Sequence, residues 1–474
     1  MKEFLTDFKS SFSKFHSEKI IPFDNLSNEN TFISFVYPIP NLNFNNIFNK
    51  IREYSPSLIF EKPDEDFKII ALDSIYTFSD KLKTDQSSFS SVINNLKENT
   101  IENWGKDFSK EIPLIVGGMK FFAKSNSELW NDFKDSNWFI PKFLFIKKNN
   151  FTGLVFNTFL KSIKDFDKYI FKVKNELEKI IITNNVNDIP VDANSTILNP
   201  NGKADKENWI GKVKNILELI RKNEIQKVVL SRNLSLKLNN RPNWKFIYKN
   251  LTTNYPTCHF FIYHNNNSFF FGSTPERLAK FSNGFVEVDA LAGSTPRGRD
   301  EKEDSIFADN LLNSKKNLAE HNFVIDHITE TIRDITDELE IKNKYSIKKL
   351  KNIQHLHSRI SGRLKNGFTA FDILMNLYPT PAICGVSRDK AFSVINEFEN
   401  YDRGMYSGVI GWFNFNNEGE FTVALRSALT DEKNLTVFAG SGIVANSNPN
   451  TEFEETEIKL KAILNLFDEE NKSK

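Results

Sequence analysis

Three apolar runs near the C-terminus, Ser407–Phe413, Phe421–Arg426 and Leu435–Phe438, are separated by only a few residues each. The connections carry Asn416-Asn417-Glu418-Gly419 and Asp431-Glu432-Lys433-Asn434, residue types that turn a chain. Strands joined so briefly must be antiparallel, because a parallel pair needs a crossover of a dozen or more residues. Two further hairpins are predicted on the same grounds. One turns at Asn265–Ser268 between Phe260–His264 and Phe269–Gly272, the other at Asn149-Asn150 between Phe145-Ile146 and Leu154–Phe156. The chain is therefore organised around antiparallel sheet.

Helical spacing predicts helices over Ile163–Ile182, from Trp209 through Val213, Ile216, Leu217 and Ile220, and from about Lys302 to Leu339. Leu114–Met119 and the Trp138–Ile146 region read as short strands, and the Asn-, Asp- and Pro-rich Thr183–Lys206 as a loop or linker. At 474 residues, 39% hydrophobic and 26% charged, the chain is globular and long enough for two or three domains or one large sheet enzyme. Lys+Arg 62 against Asp+Glu 61 gives net +1, so no charge imbalance points to nucleic acid or a membrane surface. No apolar stretch approaches a membrane span, and the charged N-terminus has no signal-peptide core. The only cysteines, Cys258 and Cys384, fit a reducing compartment and exclude a disulfide framework. The expected location is cytoplasmic.

Several residues carry possible chemistry. Gly440-Ser441-Gly442 reads as a turn permitting close backbone approach. A helix start follows, on which Glu452, Glu455 and Lys459 share one face. Two carboxylates and an ammonium there suit a hard cation and an anionic ligand, but also an ordinary surface helix with a Glu–Lys pair. Lys227 opens an apolar strand, where a solvated strand-end charge is the plainer reading. Glu276 ends a phenylalanine-rich strand; apolar surroundings would raise its pKa as a general acid needs, while a helix first-turn position is the alternative. Glu320 borders the apolar face of its helix and needs a metal or an arginine. Arg426, near Tyr406, suits bidentate carboxylate binding.

The order of these signals is more specific than any one of them. The sequence resembles the chorismate-utilising enzymes, which include isochorismate, salicylate, anthranilate and aminodeoxychorismate synthases. The resemblance is carried by KVVLSR (227–232), GSTPERL (272–278), DALAGSTPRG (289–298), Glu320-His321, QHL (354–356) and PTPAICG (379–385). It continues through Asp402–Gly408, VALRS (423–427), and AGSGIV followed by EFEETEIK. It implies an α+β fold of two packed antiparallel sheets with outer helices. Residues 201–474 would be the chorismate-binding catalytic region, and residues 1–200 an N-terminal part completing the sheets within one structural unit.

The resemblance also implies a magnesium ion on Glu320 and Glu455, with Glu452 close by through water. Arg426 and Tyr406 would contact the enolpyruvyl carboxylate, and Gly440, Gly442 and Lys459 would line the same anionic pocket. Gly293, Ser294, His355 and Thr380 would line the ring. Lys227 would be the base that activates water for attack at C2, and Glu276 the acid that protonates the departing C4 hydroxyl. The DALAGS stretch favours the isochorismate and salicylate branch over the amine-adding branches, so no glutaminase subunit is expected. Departures are Ser294 for the usual Thr, Tyr378 for a common His and Ser441 for the usual Ala. The expected activity is magnesium-dependent isochorismate synthesis, with menaquinone favoured over siderophore biosynthesis. The rivals are a salicylate synthase, an ammonia-adding relative and a non-catalytic anion-binding regulator of the same fold.

Overall fold

The structure, a computed structural model, describes residues 2–20, 31–78, 86–104, 112–121, 127–160, 166–182, 195–198, 206–351 and 353–468. Most of the expected 183–206 linker lies outside them.

Two rows of strands form the frame. The first runs in space through Thr31–Pro38, Phe151–Leu160, Phe139–Lys148, Phe67–Thr77, Ser57–Lys62, His259–Asn265, Ser268–Thr274, Ser427–Thr430, Asn434–Ile443 and Lys227–Lys237. The second runs through Ile115–Met119, Val409–Phe413, Gly419–Val423, Arg277–Ser282, Phe285–Pro296, Ile353–Leu364 and Thr336–Lys349. These pairings are antiparallel, and the rows meet through one pair, Val116 with Phe139. Strands from the first 160 residues hydrogen-bond to strands beyond residue 200 in both rows, at 57–62 with 259–265 and at 115–119 with 409–413.

Period-two alternation builds the layers. Phe270, Phe60, Tyr263 and Phe438 of the first row meet Val116, Ile410 and Trp412 of the second in a core between the sheets. Phe269 and Phe271 point the other way, into a core covered by helices that include Phe166–Ile181. Helix Lys315–Arg333 covers the outer side of the second row, while helix Lys206–Arg221 packs against Pro449–Leu464 and the paired strands Lys227–Lys237 and Asn434–Ile443.

Both predicted hairpins form, turning after Asn149 and Asn266, which take the left-handed conformation these turns need. Three expectations change. The helix foreseen over 302–339 is two helices, Glu301–Leu312 and Lys315–Arg333, followed by the strand Thr336–Lys349. Ser314 caps the second helix through its hydroxyl, which accepts from Asn317 N–H. The three C-terminal strands are four, because left-handed Arg426 breaks the middle one after Val423. Gly440-Ser441-Gly442 is no turn. It lies inside the strand Asn434–Ile443, paired with Ser231, Leu230 and Val229.

Candidate active site

The site gathers where Lys227–Lys237 begins and Asn434–Ile443 ends. Its two glycines supply room rather than a turn. A Cβ on Gly442 would stand 2.4 Å from Glu320 Oε1, and one on Gly440 3.2 Å from the Tyr406 hydroxyl. Any larger residue would push these groups away.

Lys227 is completely buried, not a solvated strand end. Its Nζ lies 3.1 Å from Glu320 Oε1, an ion contact whose angle falls short of a hydrogen bond. The strand beneath it is pinned by a buried ion pair that the sequence did not disclose. Arg403 Nε and Nη2 donate to the two oxygens of Glu399 at 2.8 and 2.6 Å, and Nη2 also donates to Val229 O at 2.7 Å. Glu399 accepts from Ser231 N–H at 2.6 Å. Glu320 is aimed by its neighbour His321, buried between Ala292 O (3.1 Å) and Ser358 Oγ (2.9 Å). Burial lowers the His321 pKa to about 4, so this ring is a neutral positioning group.

Glu276 sits between two strands, not in a helix first turn. It is buried, and desolvation raises its pKa to about 7 against the opposing charges of Lys227, Arg426, Lys348 and Lys459. The carbonyl before it, Pro275 O, accepts from Lys348 Nζ at 2.7 Å. Its segment lies beside that of Arg426: Val423 N–H donates to Glu276 O at 3.0 Å, and Ser273 N–H to Arg426 O at 3.2 Å.

Arg426 is half-buried and forms no ion pair with a described carboxylate. Its one side-chain contact is Nη2 with His355 Nε2 at 3.4 Å. Burial and this cationic neighbourhood hold His355 well below the usual imidazole range, and its Nδ1 meets Ser294 Oγ at 2.8 Å. Gly293, at φ +81°, brings the Ser294 strand against Asn317. The Thr380 hydroxyl is buried without a protein partner. Tyr406 is buried and stacks on Phe438, and desolvation raises its pKa to about 12. Lys459 Nζ reaches Gly440 O at 2.8 Å and Glu455 Oε1 at 2.5 Å. A small pocket of about 10 Å³ opens beside Arg426 and Lys459, walled by Tyr255, Ser273, Pro275 and Ile353.

The three glutamates expected around magnesium stand on two helix starts, Glu320 on Lys315–Arg333 and Glu452 and Glu455 on Pro449–Leu464. Each is held by a lysine: Glu320 by Lys227, Glu455 by Lys459, and Glu452 by Lys316 at 2.5 Å. Glu452 also accepts from Ser441 Oγ at 2.5 Å. Desolvation and the neighbouring Glu455 push the Glu452 pKa up. Among the described residues no three His, Cys, Asp or Glu side chains converge enough to hold a metal as placed. Three carboxylates are nevertheless the donor type that a hard, oxygen-loving cation takes, and the absence of a side chain at Gly442 leaves Glu320 Oε1 its place. Lys316 was missed by sequence reading. Its signal was its place one turn before Glu320.

Residues 17–468 match a protein family described as chorismate binding enzyme. An isochorismate synthase of Bacillus subtilis is 30% identical over 356 residues, covering 75% of this chain and 74% of that protein. One of Haemophilus influenzae is 29% identical, covering 88% and 87%. The menaquinone-specific isochorismate synthase of Escherichia coli superposes with TM-score 0.75 and 22% identity, over 95% of this chain and 98% of that one.

Proposed function

Because this chain belongs to the chorismate-binding enzyme family, we propose that it is an isochorismate synthase and that its product feeds menaquinone biosynthesis. The observation that carries the chemistry is Glu276, a buried carboxyl whose pKa stands near 7 within the field of a buried lysine. That combination supplies an acid at neutral pH within the electrostatic reach of a candidate base.

Chorismate would lie with its enolpyruvyl carboxylate toward Arg426 and Tyr406, and its ring against Gly293, Ser294, His355 and Thr380. Arg426 offers a planar fork that no carboxylate among the described residues occupies. The free Thr380 hydroxyl and the neutral His355 give the ring polar partners without adding charge. Lys227 takes a proton from a water as its oxygen bonds to C2. Glu276 gives its proton to the C4 hydroxyl, which leaves as water as the ring double bond shifts. One water enters and one departs, so the net change is an isomerisation. Glu320 and Glu455 would hold magnesium, with Glu452 close by through water, and Gly440, Gly442 and Lys459 line the same anionic pocket. The ion, when bound, supplies positive charge that orients and neutralises the ring carboxylate. Glu320, one of the residues that would hold the ion, is also the carboxylate that contacts Lys227. No glutaminase subunit is needed, because the nucleophile is water.

The test is to incubate the protein with chorismate and magnesium, without an ammonia source, and separate the products. Isochorismate alone supports the proposal. Salicylate with pyruvate would replace it with a salicylate synthase, and an aminated product formed only with added ammonia would overturn it.

A further inference from the structure

We propose that Lys316 is the resident counter-cation of the three-glutamate cluster, seated among the carboxylates in the ion-free enzyme and displaced when a divalent cation binds. This rests on the metal reading above.

Lys316 lies one turn before Glu320 on the helix Lys315–Arg333, so both point the same way. Its Nζ crosses to the facing helix and stands 2.5 Å from Glu452 Oε1. After Glu452, the carboxylates whose charge acts on it are Glu320 and Glu455. One ammonium thus sits within the field of all three proposed ligands. Glu452 is 1% exposed and close enough to Glu455 for the two charges to interact. Without Lys316, buried Glu452 would stand uncompensated beside Glu455, whose own partner is Lys459, a costly arrangement.

Three lysines share this cluster, and they differ in their way out. Lys227 is 0% exposed, and Lys459, at 13%, is also tied to Gly440 O. Lys316 is 25% exposed, and Glu452 is its one hydrogen-bond partner among the described groups. It can swing into water on its four-carbon stem while the others stay. Charge counting favours this exchange. Three glutamates and three lysines cancel, so an added dication would leave two excess positive charges. If Lys316 leaves, the excess falls to one positive charge. Lys316 therefore competes with the metal and sets how tightly it binds before substrate arrives.

The experiment is Mn²⁺ binding without chorismate, followed by electron paramagnetic resonance, in wild type, Lys316→Met and Lys316→Arg. A competitor that fills the site most of the time lowers apparent affinity in proportion, so Lys316→Met should bind Mn²⁺ about fivefold or more tightly. Lys316→Arg, which keeps the cation, should stay near wild type. In EDTA, Lys316→Met should melt lower than wild type and regain the difference when Mn²⁺ is added. Equal or weaker Mn²⁺ binding in Lys316→Met would overturn the proposal and leave the metal reading standing. Equal loss of stability with and without Mn²⁺ would mark a purely structural lysine and also overturn it. No binding to any of the three proteins would remove the metal reading and this inference together.

Discussion

The two adjacent strands Lys227–Lys237 and Asn434–Ile443 have a hollow at each end, and the hollows differ in kind. At the far end a cleft of about 580 Å³ is lined by Glu128, Asp132, Lys237, Asp431 and Asn434. Two of its carboxylates are already satisfied. Asp132 accepts from Asn267 N–H and Ser268 Oγ, and Asp431 from the N–H groups of Lys433 and Asn434. They are turn caps that hold hairpins closed. At the near end the pocket beside Arg426 and Lys459 is only about 10 Å³, yet several polar groups of the candidate site lack hydrogen-bond partners among the described residues. Thr380 Oγ1 and Lys227 Nζ make no hydrogen bond, Arg426 has no carboxylate, and Glu276 is held near pKa 7. Buried polar groups are costly unless something meets them, so groups left waiting identify a ligand site better than volume does.

The comparison breaks most sharply at Lys227. Lys227→Ala should cut turnover about 10²- to 10⁴-fold, the usual contribution of a positioned base. Chorismate binding, followed by calorimetry, should change little, because Arg426 and Lys459 remain. Near-normal turnover would remove Lys227 from the chemistry.

Glu276 sharpens the contrast by linking activity to stability. Its pKa is raised from the ordinary 4.5 to about 7, so the folded state holds this proton more tightly than the unfolded state. Stability from this group is complete below about pH 4.5, falls as pH rises, and is gone above about pH 7. The kcat/KM of the wild type should fall above about pH 7, as Glu276 loses the proton it must donate. Glu276→Gln should lose turnover at all pH values yet resist urea better at pH 8, by up to about 3 kcal/mol. A variant less stable at pH 8 would show that the carboxyl is held by partners rather than strained by burial.

How far these residues could be foreseen depends on the range of the interaction. The hairpins at Asn149 and Asn266 were legible because turn chemistry is local. The glycines at 440 and 442 were misread because the same residue that permits a turn also permits close approach, and only Glu320 and Tyr406, brought from elsewhere, decide between them. The break at Asn313-Ser314 carries neither Gly nor Pro. The Lys- and Glu-rich strand Thr336–Lys349, largely exposed on its face, lacks the apolar alternation that announces a strand. The candidate site residues were legible as an ordered set of motifs. Their pairings were not. Lys316 with Glu452 and Arg403 with Val229 join positions 136 and 174 residues apart, which no local pattern encodes.

Arg426→Lys is expected to act mainly on binding. Arg426 contacts His355 at 3.4 Å and pairs with no carboxylate among the described residues, so its fork remains open to a ligand. Lysine keeps the charge and loses the two-pronged geometry. The expected result is a rise in KM for chorismate of about tenfold or more, with a smaller change in kcat. A fall in kcat at constant KM would place the guanidinium at the reacting atoms instead.

The smallest effect belongs to the far cleft. Asp132→Ala removes the acceptor for Asn267 N–H and Ser268 Oγ, partly exposed groups that water can serve in its place. The cost should be about 1 kcal/mol of stability, seen as a slightly lower urea midpoint. The kcat, KM and pH profile should stay within about twofold of wild type, because no charge at the near end changes. A changed KM for chorismate would mean that the two ends of these strands are coupled, and that the larger cleft has a role its satisfied carboxylates do not announce.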